Sequence, residues 1–418
     1  MKTSALIVLY TLGLAQLFGQ SNDISIQKDS INSTNMGYVM NYYVHVPNNY
    51  ISQQNNKFNV IYLLDGNPQS KLFDLVRANF SYPNNDWYFN FPPFILVGID
   101  PKNRSQEFTP ETNDIKTVNN YLFKTYGYGR ADDFLNFLQH ELFPRIEKEY
   151  NVTNHRLGIG HSLGGTFLMY ALNTRPSLFN AYFLFSPNLE YGNKQLVKTF
   201  ATLGIESVKD NFLYISIGDD PNYESKFKPA IENLDSAIRT KDYQNFICKI
   251  DYLTHCNHSE SPQISLPPAI SEYKKLYQWP SVSQREYFLS NAKGYLDEIK
   301  NYYTEKTKIL GYQYEPGIDI INNEFVYYAL DKNKMKEALE VINWGIELYP
   351  DNYFTHSLYL TKSYVLEKMD ANKAAIESCK VGLTILKSNK EKMYPEDYQY
   401  AFDDLTNRMN ELLNQNSE

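Results

Sequence analysis

The sequence predicts an α/β region built on a mostly parallel central sheet, followed by a smaller all-α region. Three observations carry this. Between about residues 55 and 280, short apolar blocks recur without clean alternation, as expected of strands buried on both faces. Stretches with helical spacing separate them, which is the alternation that parallel strands and crossover helices require. Beyond Gln278-Trp279-Pro280 the strand blocks stop, and Lys, Glu, Asn and Tyr run in helical patterns.

The elements follow in order. Met1-Lys2-Thr3 and the apolar run from Ala5 to Ala15 form a charged tip and a short hydrophobic core, with small and polar residues near Gly19-Gln20. Residues 1–20 therefore read as a signal peptide, and the mature protein as exported, periplasmic or secreted. The run is too short to span a bilayer, and no later stretch qualifies. Residues 38–46 predict an edge hairpin strand. Residues 59–64, 94–99, 156–159, 181–185, 212–217 and 248–253 predict the strands of the sheet. Phe134, Leu138, Leu142 and Ile146 share one helix face, with Pro144 expected to kink that helix. Ala230, Ile231, Leu234, Ala237 and Ile238 share another. The domain limits are 21–280 for the α/β region and 281–418 for the helical one.

Composition narrows the function classes. The 418 residues include 43% hydrophobic ones, enough for a large core. A net charge of −8 gives no reason to expect nucleic-acid binding. Cys248, Cys256 and Cys379 cannot build a disulfide framework. A Cys248–Cys256 bridge in an oxidising compartment stays open.

The chemistry centres on Gly160-His161-Ser162-Leu163-Gly164. A Ser flanked by glycines two residues away on each side, after a strand and before a helix, is the nucleophile-elbow pattern. The turn is tight enough to need glycine, and the helix N-terminus beneath the serine favours developing negative charge. A base must lie downstream. His356 falls in the helical region, which leaves His255 and His258 in the loop after residue 253. His258 is preferred, because it lies deeper in the loop and precedes Pro262 and a helix. The pair His255-x-x-His258 lacks a third metal ligand, so no metal is expected. The acid is sought in Gly218-Asp219-Asp220-Pro221-Asn222-Tyr223-Glu224, with Asp220 first, then Glu224 and Asp219. The N–H groups of Leu163 and Asn67 are the expected oxyanion donors, Asn67 lying in the turn Asp65-Gly66-Asn67-Pro68 after an early strand. Gly158-Ile159-Gly160 is no dinucleotide fingerprint, since Leu163 stands where its third glycine belongs.

From about residue 38 to 280 the chain resembles the putative-esterase family of α/β-hydrolases, and within it the periplasmic siderophore esterases of the ferric-enterobactin and salmochelin type. The resemblance rests on Tyr62-Leu63-Leu64-Asp65-Gly66-Asn67, on Val97-Gly98-Ile99 leading to Arg104 and Thr109-Pro110, and on Glu141-Leu142-Phe143-Pro144-Arg145-Ile146-Glu147. It continues through Gly160-His161-Ser162-Leu163-Gly164-Gly165, Phe185-Ser186-Pro187 and His258 with Pro262. It implies an α/β-hydrolase fold and a serine esterase needing no cofactor, acting on a small-molecule or glycan-linked ester such as a siderophore, acyl or feruloyl ester. Arg104 and His161 are the expected substrate contacts. Two departures stand out: the crowded Asp219-Asp220 turn at the acid position, and Asn188-Leu189-Glu190-Tyr191 where many relatives carry Ser and Trp. An acyltransferase would share every catalytic group, and an inactive scaffold working through its helices is the reading from another class.

In the C-terminal part, Glu337-Ala338-Leu339 with Gly345 matches Ala374-Ala375-Ile376 with Gly382, 37 residues on. That offset is near the 34-residue tetratricopeptide period, and Tyr349-Pro350-Asp351 ends one unit as such repeats do. About two such repeats are too few to bury their own apolar faces. They are expected to dock on the esterase domain, on a second copy as a homodimer, or on a protein partner.

Overall fold

The computed structural model describes residues 26–47, 57–80, 92, 94–241 and 246–415. The expected leader, residues 1–20, lies outside the described residues. Among those described, the chain divides after Glu272 into two compact units.

The first unit is built on an eight-stranded sheet in the order β1-β2-β4-β3-β5-β6-β7-β8. The strands are β1 (Ile26–Ser33), β2 (Tyr38–His45), β3 (Phe58–Leu64), β4 (Phe94–Asp100), β5 (Val152–His161), β6 (Ala181–Phe185), β7 (Phe212–Ile217) and β8 (Ile247–Tyr252). Strands β3 to β8 are mutually parallel, whereas β1 and β2 are antiparallel to their neighbours. Every residue of β3, β6 and β7 is buried, which explains their unbroken apolar runs. The 38–46 segment is not the edge: β2 lies between β1 and β4, and β1 is the outermost strand. Its polar composition, Ile26-Gln27-Lys28-Asp29-Ser30-Ile31, hid it among loop-like residues.

The expected kink at Pro144 takes the form of a π-helical turn. Helix Ala131–Phe137 widens into a π turn at Leu138–Leu142 and resumes at Phe143–Glu149. Pro144 has no N–H for the His140 carbonyl and its ring crowds that turn, so the ladder widens there. Because β3 to β8 run parallel, the turns after Leu64, His161, Phe185, Ile217 and Tyr252 gather along one end of the sheet.

The second unit is helical. Its larger helices are Tyr295–Leu310, Met335–Leu348, Thr355–Lys368, Asn372–Ser388 and Pro395–Gln415. The two matching segments fall on Met335–Leu348 and Asn372–Ser388. Small residues there let neighbouring helices close in: a Cβ on Gly345 would lie 2.9 Å from Leu358, and one on Gly382 would lie 3.0 Å from Leu405. Buried Arg408 donates to Glu367 at 2.6 Å and stacks over the Tyr364 ring at 4.0 Å. Cys248, Cys256 and Cys379 are free thiols. No described helix is long and apolar enough to cross a membrane.

Candidate active site

The turn after β5 is held by sterics and backbone bonds. Ser162 sits at φ 57° and ψ −116°, a conformation that costs a non-glycine residue about 1–3 kcal/mol. Its N–H donates to the Phe185 carbonyl at 2.9 Å, and its carbonyl accepts from Thr166 N at 3.0 Å, which starts helix Leu163–Thr174. A Cβ at Gly160 would meet the Gly164 carbonyl carbon at 2.5 Å, so glycine is required there. Ser162 itself is half-buried. Leu163 is the first helical residue, so its N–H has no intrahelical acceptor.

The turn after β3 lies alongside. Gly66 N donates to the Ile99 carbonyl at 2.9 Å, and a Cβ on Gly66 would lie 2.3 Å from Gly98 Cα, so the two backbones nearly touch. The Asn67 side chain accepts from Gln69 N at 2.9 Å and donates to Asp100 at 3.2 Å. Among the described residues nothing accepts the Asn67 N–H. Arg104 bridges this turn to the elbow. Its Nε lies 2.8 and 2.9 Å from the two Asp65 oxygens, and its Nη2 donates to the His161 carbonyl at 3.0 Å.

The turns after β7 and β8 bring an imidazole and a carboxylate together. His258 Nδ1 lies 2.6 Å from Glu224 Oε1. Glu224 is fully buried, and its Oε2 accepts from Ser186 Oγ at 2.9 Å and from Gly218 N at 2.8 Å. Burial alone would raise its pKa, yet the bonds from His258, Gly218 and Ser186 outweigh that and hold the carboxyl below its ordinary value. Glu224 is also the first residue of helix Glu224–Arg239, where the helix end favours a negative charge.

The other two carboxylates serve the backbone. Asp220 accepts from Tyr223 N at 3.2 Å and Asn222 Nδ2 at 3.1 Å, closing the turn ahead of that helix. Asp219 accepts from His255 N at 2.9 Å and Cys256 N at 3.0 Å, and these bonds lower its pKa. His255 is exposed, with a positive φ of 56°. Neither Asp220 nor His255 meets the Glu224–His258 pair.

Three rings enclose the His258 imidazole: His161 at 4.6 Å between centroids, Tyr223 stacked at 5.2 Å and Phe227 edge-on at 5.6 Å. His161 Nε2 lies 2.9 Å from the His258 carbonyl. Burial first, then the nearby His258, push the His161 pKa down to about 4. Ser162 Oγ makes no hydrogen bond to the His258 ring in this arrangement. Among the described residues no group of three His, Cys, Asp or Glu side chains could hold a metal ion.

Sequence reasoning missed Ser186, Tyr223 and Phe227. Ser186 was findable, since it stands in the motif Phe185-Ser186-Pro187 directly after β6; the structure holds it in a constrained turn at φ 43°. The stacking of Tyr223 and Phe227 on His258 depends on tertiary placement alone.

The sequence model of the putative-esterase family matches residues 33–238. The ferri-bacillibactin esterase BesA of Bacillus subtilis is 30% identical over 149 residues, which cover 33% of this chain and 50% of that protein. The chain thus spans half the length of this curated relative. An IroE-like serine hydrolase from Shewanella oneidensis superposes with a TM-score of 0.59 at 20% identity, covering 78% of this chain and all of that one. An uncharacterised protein from Capnocytophaga ochracea superposes with a TM-score of 0.69 at 14% identity, over 93% of this chain and 99% of that one. At such identities the two structures speak for the fold alone, an α/β-hydrolase fold followed by a large helical region. With the family match and the BesA relationship beside it, the α/β part of this chain is similar to the putative-esterase family of α/β-hydrolases and, within it, to the siderophore esterases.

Proposed function

We propose that the protein is an exported serine esterase that hydrolyses a carboxylic ester through an acyl-enzyme. The observation that carries this reading is the 2.6 Å contact between His258 and a buried carboxylate, beside a serine held on a constrained strand-to-helix turn. Ser162 Oγ attacks the ester carbonyl while His258 Nε2 takes its proton. Glu224, acting as the acid in place of Asp220, keeps Nδ1 protonated and stabilises the imidazolium that forms. The Leu163 and Asn67 N–H groups hold the oxyanion, each contributing about 3 kcal/mol. His258 then returns the proton to the leaving alcohol, and a water activated by the same imidazole releases the acid.

The Ser162–His258 hydrogen bond forms in the complex with substrate, where catalytic bonds tighten. The name of the Bacillus relative points to a siderophore ester as the substrate class. The leader-like first 20 residues support export. Hydrolysis of p-nitrophenyl butyrate tests the reaction: the purified protein turns it over and Ser162→Ala does not. Equal rates for the two would remove Ser162 from the mechanism.

A further inference from the structure

We infer that His161, the residue before the proposed nucleophile, is a positioning residue that ties three strand-end turns into one frame. The inference rests on the esterase reading above and gives it a mechanical basis. Two contacts meet at this residue, and Arg104 extends one of them to Asp65. The His161 carbonyl accepts from Arg104 Nη2 at 3.0 Å, and the same guanidinium grips Asp65 through Nε at 2.8 and 2.9 Å. Its ring Nε2 reaches the main-chain carbonyl of His258 at 2.9 Å. The turn carrying the Asn67 N–H, the elbow carrying Ser162 and Leu163, and the loop carrying His258 are therefore joined through one residue and one arginine.

The residue type suits the task. A carbonyl oxygen can only accept, so Nε2 carries the proton. The imidazole lies against the His258 ring, 4.6 Å between centroids and tilted by 39°. Lys or Arg in this place would set a fixed positive charge against the imidazolium that forms on His258 during the reaction. Glu or Asp would have no proton to donate. A neutral imidazole donates to the loop and adds no charge, and burial keeps it neutral over the working pH range. Asp219 fixes the start of the same loop through the N–H groups of His255 and Cys256, and Glu224 fixes the His258 ring. His161 alone of these holds the main chain at position 258 itself. Arg104 accordingly belongs to the frame: Nε and Nη2 both hold protein oxygens.

Two variants and two readouts test this. His161→Phe keeps the ring and removes the donor, and His161→Gln keeps a donor of similar reach. On p-nitrophenyl butyrate, His161→Phe is expected to lose about 10- to 100-fold in kcat. Its KM stays within about twofold and His161→Gln stays within about threefold of the parent in kcat. Equal losses in both variants would show that only packing matters, and a rise in KM at unchanged kcat would make His161 a substrate contact; either overturns the proposal. Should the parent protein be as inert as Ser162→Ala, the esterase reading fails on its own, and nitrogen-15 NMR of the histidines still decides the frame. The expected signals are an Nε2–H tautomer for His161 that does not titrate between about pH 5 and 9, and His258 resonances displaced in His161→Phe but not in His161→Gln. An Nδ1–H tautomer, or His258 resonances unmoved by His161→Phe, would overturn it.

Discussion

The turn after β5 and the turn after β7 sit at the same end of one sheet, yet they specify their functional side chains in different ways. At the first, the backbone leaves little choice: Gly160 has no room for a Cβ, Ser162 is held at a positive φ, and the next residue begins a helix. At the second, three carboxylates lie within six residues, and their tasks are divided by where each points. Asp219 holds a neighbouring loop, Asp220 closes the turn, and Glu224, at the start of the following helix, faces inward to His258. A site whose geometry is fixed by local sterics can be read from spacing. One that depends on which of several equivalent groups faces a distant residue cannot.

The sharpest way to break this contrast is to exchange charge for an isosteric amide at each carboxylate. Glu224→Gln is expected to lower kcat by about 10³- to 10⁴-fold, because the amide no longer stabilises the imidazolium. Asp220→Asn should stay within about threefold, since its carboxylate serves only the turn. A kcat loss in Asp220→Asn exceeding that in Glu224→Gln would restore the reading made from the sequence. Melting curves on both variants separate lost chemistry from lost folding.

A smaller effect probes the support of the acid. Ser186→Ala removes one of two further donors to the Glu224 carboxylate, 2.9 Å from Oε2. A hydrogen bond to a charged group contributes about 1.5–3 kcal/mol, so a kcat loss of about tenfold is expected, with KM nearly unchanged. An unchanged kcat would mean that Gly218 N alone suffices to hold the acid.

The pH dependence of stability gives the mildest test. Burial pushes His45 and His161 down to about 4, whereas unfolded histidines titrate near 6.5. Between those values the unfolded chain binds more protons than the folded one, so stability falls as pH drops from about 6.5 towards 4. Burial lowers His356 in the helical unit as well and acts in the same direction. Glu224, held below its ordinary pKa, adds a further loss as pH falls below about 4.3. Melting temperatures measured from pH 7 to 4 should decline along this course, and His161→Asn should flatten the slope between about pH 6.5 and 4.

The same contrast explains how much of the molecule was legible. The parallel strands announced themselves as unbroken apolar runs, because burial on both faces removes polar residues. Strand β1 did not, since an outermost strand with Gln27, Lys28 and Asp29 reads like a loop. The two matching helical segments were legible because close helix approach demands Gly345 and Gly382 at equal spacing. Arg104 stood out as a motif residue, but its partners, Asp65 and the His161 carbonyl, lie 39 and 57 residues away, beyond what sequence pattern can pair. A separation of 38 residues likewise hid the bond from Ser186 to Glu224.

Everything proposed for this site turns on Ser162 being a nucleophile activated by the His258–Glu224 pair. Incubating the folded protein with a fluorophosphonate and mapping the adduct by mass spectrometry tests it most directly. One stoichiometric label on Ser162 is expected, absent in Ser162→Ala and formed far more slowly in His258→Ala and Glu224→Gln than in Asp220→Asn. A folded protein that takes no label, or one labelled at another residue, would contradict it.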